Sequence, residues 1–185
     1  MAIDPALLDQ ALSTPESQDV TDTPIVRAVI LADPANAALL VPFLAQSQSQ
    51  AGRNALRILC EFGPAAVPAT VAALAAIDSP IARTTGLAAL WAMFAGESLV
   101  VVREHLAAST AAITALLDDR SAVADEMPAH IERDFTGRVC DFTYVVINEL
   151  QNPEFDQSTF RGMTNQERDQ AITGLKARGF GGLIA

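Results

Sequence analysis

Apolar positions along the chain recur at helical spacing, and polar residues punctuate them. Leu56, Leu59 and Phe62 lie three apart, and Val67, Val71 and Leu74 follow at steps of four and three. That is the period of an amphipathic helix, not of a strand. Starts are well marked. Asp4-Pro5, Thr14-Pro15, Thr23-Pro24, Asp33-Pro34 and Ser79-Pro80 each set a capping side chain before proline. The cap accepts from an N–H that has no partner within the helix, and proline in the first turn loses nothing by lacking one. Thr164-Asn165-Gln166-Glu167 reads as a capping box. Helices are predicted at about 5–12, 24–32, 34–46, 49–62, 64–76, 79–95, 97–108, 110–118, 137–151 and 165–178. A polar linker is expected up to Thr23, and loops over 119–136 and 152–163. No strand is predicted: Val100-Val101-Val102 sits in a helical pattern that Arg103-Glu104-His105-Leu106 continues.

The helical pattern repeats. Ser49-Gln50-Ala51-Gly52-Arg53-Asn54-Ala55-Leu56 is echoed by Ser79-Pro80-Ile81-Ala82-Arg83-Thr84-Thr85-Gly86, and more loosely by Gly137-Arg138-Val139-Cys140-Asp141. Each has a polar start, an arginine on the first turn and then apolar residues. Self-similarity of this kind predicts stacked units that share one core. Gly63-Pro64 divides one helix pair, with glycine past a helix end and proline opening the next.

Arg53-Asn54-Ala55-Leu56-Arg57-Ile58-Leu59 through Gly63-Pro64-Ala65-Ala66-Val67-Pro68 resembles a HEAT-like repeat of the PBS-lyase type. A second match starts at Arg83, and a third joins Ala111–Asp119 to Arg138-Val139-Cys140-Asp141. The resemblance covers roughly residues 34–151. It implies an all-α fold, an α-α superhelix of about four helix pairs forming a short right-handed solenoid, usually a scaffold. HEAT-like folds also include bilin lyases and a group of DNA glycosylases. Two departures stand out: residues 119–136 interrupt the last inter-helix connection, and the first 33 residues match nothing.

Length then bounds the organisation. A chain of 185 residues is one domain or one short array. The expected division is an N-terminal segment of short helices and linker (1–33), a repeat domain (34–178) with the insertion at 119–136, and a flexible tail (179–185) carrying Gly179, Gly181 and Gly182. Half the residues are apolar but only 5% are aromatic. An alanine-rich, aromatic-poor composition favours close packing of helix on helix.

Charge narrows the partners. The net charge is -10, with only 12 lysines and arginines, which are scattered. Nucleic acid and anionic membranes are bound largely through basic patches, so both are disfavoured. A basic protein or peptide fits. No uncharged run reaches transmembrane length and no signal peptide is visible. Cys60 and Cys140 sit apart in apolar patterns, as expected of small core residues in a reducing, cytoplasmic compartment.

Chemistry-bearing residues are few. The segment 118–134 holds Asp118, Asp119, Asp125, Glu126, Glu132 and Asp134 against Arg120 and Arg133. Such an insertion on a repeat array is a candidate surface for a basic partner. Arg53 and Arg83 occupy matching repeat positions; they either hydrogen-bond between repeats or form a row reading an acidic ligand. Arg57 and Glu61, one turn apart, are placed to pair. Glu126, His130 and Asp134 share helical spacing, but Pro128 interrupts it and zinc sites want three or four well-placed ligands. A surface cluster is the expectation, with no metal and no cofactor. His105 has no nucleophile context, and Trp91, Met93 and Phe94 read as core. Phe155 and Phe160 are expected to pin the 152–163 loop to the scaffold. No phosphate-binding glycine motif, GxSxG or HExxH is present. The expected function is a protein-interaction module, an adaptor or inhibitor of a basic partner. The other classes are an enzyme or ligand-binding accessory protein, bilin-lyase-like, and a structural subunit of a larger assembly.

Overall fold

In the computed structural model, residues 3–123 and 137–180 are described. They are helical throughout, with one isolated antiparallel bridge between Ala122 and Arg138. The fold is all-α. Its α-helices are α1 (Pro5–Leu12), α2 (Ala37–Leu40), α3 (Gln50–Cys60), α4 (Val67–Ala76), α5 (Pro80–Met93), α6 (Leu99–Ala108), α7 (Thr110–Asp118), α8 (Val139–Gln151), α9 (Gln157–Arg161) and α10 (Asn165–Arg178).

The repeated phrase folds alike in its two copies. Ser49 Oγ accepts from Gly52 N at 3.0 Å, and Ser79 Oγ from Ala82 N at 3.2 Å. Each serine satisfies one of the N–H groups left over at its helix start. The third copy differs: Arg138 is itself the cap residue of α8, and Asp141 Oδ2 accepts from its N–H at 3.1 Å.

Packing centres on α5. It lies against α3, α4 and α8 and against the 3₁₀ segment Val41–Gln46, while α4 also packs on α2 and α7. Gly86 permits the approach. A Cβ there would stand 2.4 Å from a methyl of Leu74 and 3.1 Å from one of Leu44. Leu44, Ile58, Leu59, Leu74, Leu87 and Leu90 are fully buried. Alanines fill the gaps, as the aromatic-poor composition predicts.

Several boundaries move. The helix predicted over 34–46 is broken into Pro34–Asn36 (3₁₀), α2 and Val41–Gln46 (3₁₀). Pro42 has no N–H to continue the α-helical ladder, so the chain tightens there. The helix predicted over 24–32 is present over 24–30, opening as α-helix and widening to a π-helical segment, Val26–Ile30, with Val26 and Ile30 buried. The linker before Thr23 contains a 3₁₀ turn, Val20–Asp22, capped by Asp19. Val20, like Ala11 and Leu12 before it, is buried in the same core as the helix pairs. The 152–163 loop contains α9, whose start is capped by Asp156 at 2.9 Å from Ser158 N. Trp91, expected in the core, is 37% exposed and meets Phe142 edge-on, whereas Met93 and Phe94 are buried.

Candidate functional site: a groove between the N-terminal strap and α3

The N-terminal segment is fastened to α3 by two amides. Asn54, fully buried, donates to the carbonyl oxygens of Leu12 at 3.0 Å and Thr14 at 2.8 Å. Gln50 adds a second donor to Thr14 at 3.1 Å and a bond to Asn54 Oδ1 at 3.0 Å. Helix ends leave carbonyls without partners, and these side chains satisfy them. The strap 15–19 that follows is exposed, and the chain is buried again at Val20 and Thr21.

Between strap and helix lies an open groove of about 690 Å³. One wall is residues 16–19 and Thr21; the other is the α3 face made by Arg53, Leu56, Arg57, Cys60 and Glu61. These α3 positions follow a 3.6 period and so share one face. The volume lies within the usual range of ligand sites, ~300–1,000 Å³.

Charges along the groove are unevenly matched. Arg53 reaches across to Glu16 at 2.6 Å and also donates to the Gln48 carbonyl and to Gln50 Oε1 at 3.3 Å. Its Nε is buried with no acceptor. Asp19 takes both the N–H and the hydroxyl of Thr21 on Oδ1, at 3.0 and 2.8 Å. Those two hydrogen bonds, side chain first, hold its carboxyl below the usual aspartate value of 3.8, with small help from Arg57 and Arg27. Asp19 is therefore ionised at neutral pH. Arg57 and Glu61 do not form the pair their spacing predicts: neither side chain has a hydrogen bond or a direct ion pair among the described residues. Cys60 is half-buried on the groove floor, and burial pushes its thiol up from 9.0.

The other predicted site residues are dispersed. Arg83 and Asp119 bind each other, and Arg83 Nε donates to the Leu74 carbonyl at 3.2 Å. Arg53 and Arg83 thus share a habit, each joining one carboxylate to one backbone carbonyl. Arg53 edges the groove, while Arg83 ties α5 to the start of the insertion. Asp118 pairs with Lys176 of α10 at 2.6 Å. Asp125, Glu126, Glu132 and Asp134, with His130, lie outside the described residues.

The insertion's two ends meet in a short ribbon. Val123 N donates to the Gly137 carbonyl at 3.0 Å, Val139 N to Ser121 at 3.0 Å and Cys140 N to Asp119 at 2.8 Å. An ionic network braces it. Arg138 grips Asp141 through Nε at 3.0 Å and a terminal nitrogen at 2.8 Å, and Asp169 at 2.9 Å. Arg120 binds Asp169, and Arg168 approaches Asp141 at 3.5 Å. Asp141 is fully buried, so this bidentate arginine compensates its charge. Cys140 beside it is buried, and that burial raises its thiol to about 11. Phe160 stacks on Tyr144 at 4.3 Å under Arg168, which pins the 152–163 loop as expected.

No protein-family model matches the chain, and neither a curated protein nor a solved structure matches it. Among the described residues, no group of three or more histidine, cysteine, aspartate or glutamate side chains could hold a metal ion. No single described helix is long and apolar enough to cross a membrane. The residues of α3 name Arg53 as a candidate and Arg57 with Glu61 as neighbours, but they do not show a groove. Arg53, Leu56, Arg57, Cys60 and Glu61 share a face in any helical wheel, but the opposite wall depends on Asn54 drawing the strap down.

Proposed function

We propose that this chain is a protein-interaction module of the helical-repeat type, acting in the cytoplasm, and that a partner docks in the groove between the strap and α3. The observation that carries the reading is the open groove lined by Arg57 and Glu61, whose side chains make no direct ion pair among the described residues. Exposed groups are easily solvated, so this alone is ordinary. Its weight comes from their place on one ligand-sized concavity.

A short HEAT-like solenoid is part of the proposal. Two successions of neighbours support it: α3, α5 and α8 in one row, and α2, α4 and α7 in another. Stacked pairs of this kind give extended binding faces. The acidic composition supports a partner with basic character, with Asp125, Glu126, Glu132 and Asp134 as a second contact region.

The test is affinity capture from an extract of the source cell at low and moderate salt, with wild type and Arg57→Glu compared side by side. A partner held in stoichiometric amount by wild type and lost by the variant supports the reading. Equal retention by both removes the groove as the docking site. Empty capture by both, with light scattering that shows self-association, favours the structural-subunit reading.

A further inference from the structure

The groove's unmatched groups specify a ligand more narrowly than the interaction reading does. Glu16 pairs with Arg53, which leaves Arg57 against Asp19 and Glu61 on the groove lining; Arg27, itself paired with Asp22, acts on both carboxylates from outside that lining. An all-anionic ligand would meet two carboxylates, and an all-cationic one would meet Arg57. Only a ligand of mixed charge satisfies all three groups. Asp19 keeps its Oδ2 free of hydrogen bonds among the described residues, so it can still accept from a cation.

Spacing adds a register. Arg57 and Glu61 stand four residues apart, ~6.0 Å along the helix axis. In an extended peptide, side chains at i and i+2 point to one side and stand ~6.6 Å apart. The two repeats nearly coincide. Leu56 and Cys60 on the floor suit the aliphatic stems of long charged side chains.

We infer that the groove binds an extended peptide segment of a partner in which an acidic and a basic side chain stand two residues apart, the acidic one on Arg57 and the basic one between Asp19 and Glu61. This rests on the interaction reading above and names its chemistry.

Cys60 reports occupancy, and the buried Cys140 serves as an internal reference. The probe is an acetylated, amidated pentapeptide with glutamate second, lysine fourth and alanine elsewhere. The readout is the rate at which N-ethylmaleimide alkylates Cys60, followed by mass spectrometry on the full chain. A free pentapeptide binds weakly, so at ~5 mM the expected effect is an about threefold slowing, corresponding to a Kd of ~2.5 mM. The slowing is expected to vanish in Arg57→Gln/Glu61→Gln, whose substitutions are exposed and leave the fold intact. Control peptides carry two glutamates or two lysines. Protection by either control as strong as by the mixed peptide overturns the inference. So does the absence of protection by all three. If a captured partner still protects Cys60 in that case, the groove remains a docking site and only its stated chemistry fails.

Discussion

The side-chain amide of Asn54 donates to the main-chain oxygen of Thr14 at 2.8 Å, across 40 residues of sequence. This bond and its companion to Leu12 make one wall of the groove. Replacing Asn54 with alanine leaves the Leu12 carbonyl without its side-chain donor and the Thr14 carbonyl with Gln50 alone. The expected cost is about 1–3 kcal/mol in chemical denaturation. Amides of residues 5–22 are expected to exchange hydrogen faster than those of α5 in the variant. Uniform loosening of the whole chain would show that Asn54 does not fasten the strap specifically.

Gly52 faces backbone, not side chain. A Cβ there would stand 2.2 Å from the Gln46 carbonyl oxygen and 3.0 Å from that of Phe43. Gly52→Ala is therefore expected to destabilise by about 1–3 kcal/mol through overpacking, more than the ~1 kcal/mol of helix propensity it gains. Gly86→Ala meets only leucine methyl groups, which can turn aside, and is expected to cost less. Thermal unfolding of the two variants in parallel checks the order.

Acid should loosen the joint between α5 and the insertion. Burial pushes the Asp119 carboxyl up, but hydrogen bonds from Ser121 and Arg83 outweigh it and leave the pKa below 3.8. A lowered carboxylate pKa means the unfolded chain takes up the proton first. Its stabilisation is present above about pH 5 and is lost as pH falls through and below 3.8. Asp119→Asn is expected to be less stable than wild type at pH 7 and to lose less on acidification. Denaturation midpoints between pH 7 and pH 3 measure both effects.

At the alkaline end the sign reverses. The Cys140 thiol is raised from 9.0 to about 11 by burial. The unfolded chain then loses its proton first, so stability is full below pH 9 and declines as pH rises through about 11. Cys140→Ala is expected to lose less stability than wild type between pH 8 and pH 11. At pH 8 Cys60 is expected to react with maleimide well before Cys140.

Much of the fold is legible in local signals. The Ser49 and Ser79 caps, the Thr164 capping box and the end of α7 at Asp118 all fall where the residues indicate. Failures have nameable causes. Pro42 broke a helix that looked continuous from hydrophobicity alone. Asp156-Gln157-Ser158-Thr159 is a capping signal that the prolines and phenylalanines around it obscured. The candidate site was harder. Glu16 and Arg53 are 37 positions apart, and no periodicity joins them. Arg83 and Asp119 are 36 apart, and their pairing joins two elements, which is the bonding role read as one option for Arg83. Long-range pairing depends on how whole elements pack, which patterns of three and four residues do not encode.

The central claim is that a partner occupies the groove. Hydrogen exchange of the chain, free and in its captured complex, tests it most directly. Slowed exchange confined to residues 16–21 and 53–61 is the predicted result. Unchanged exchange in both stretches, with protection elsewhere on the molecule, would contradict it.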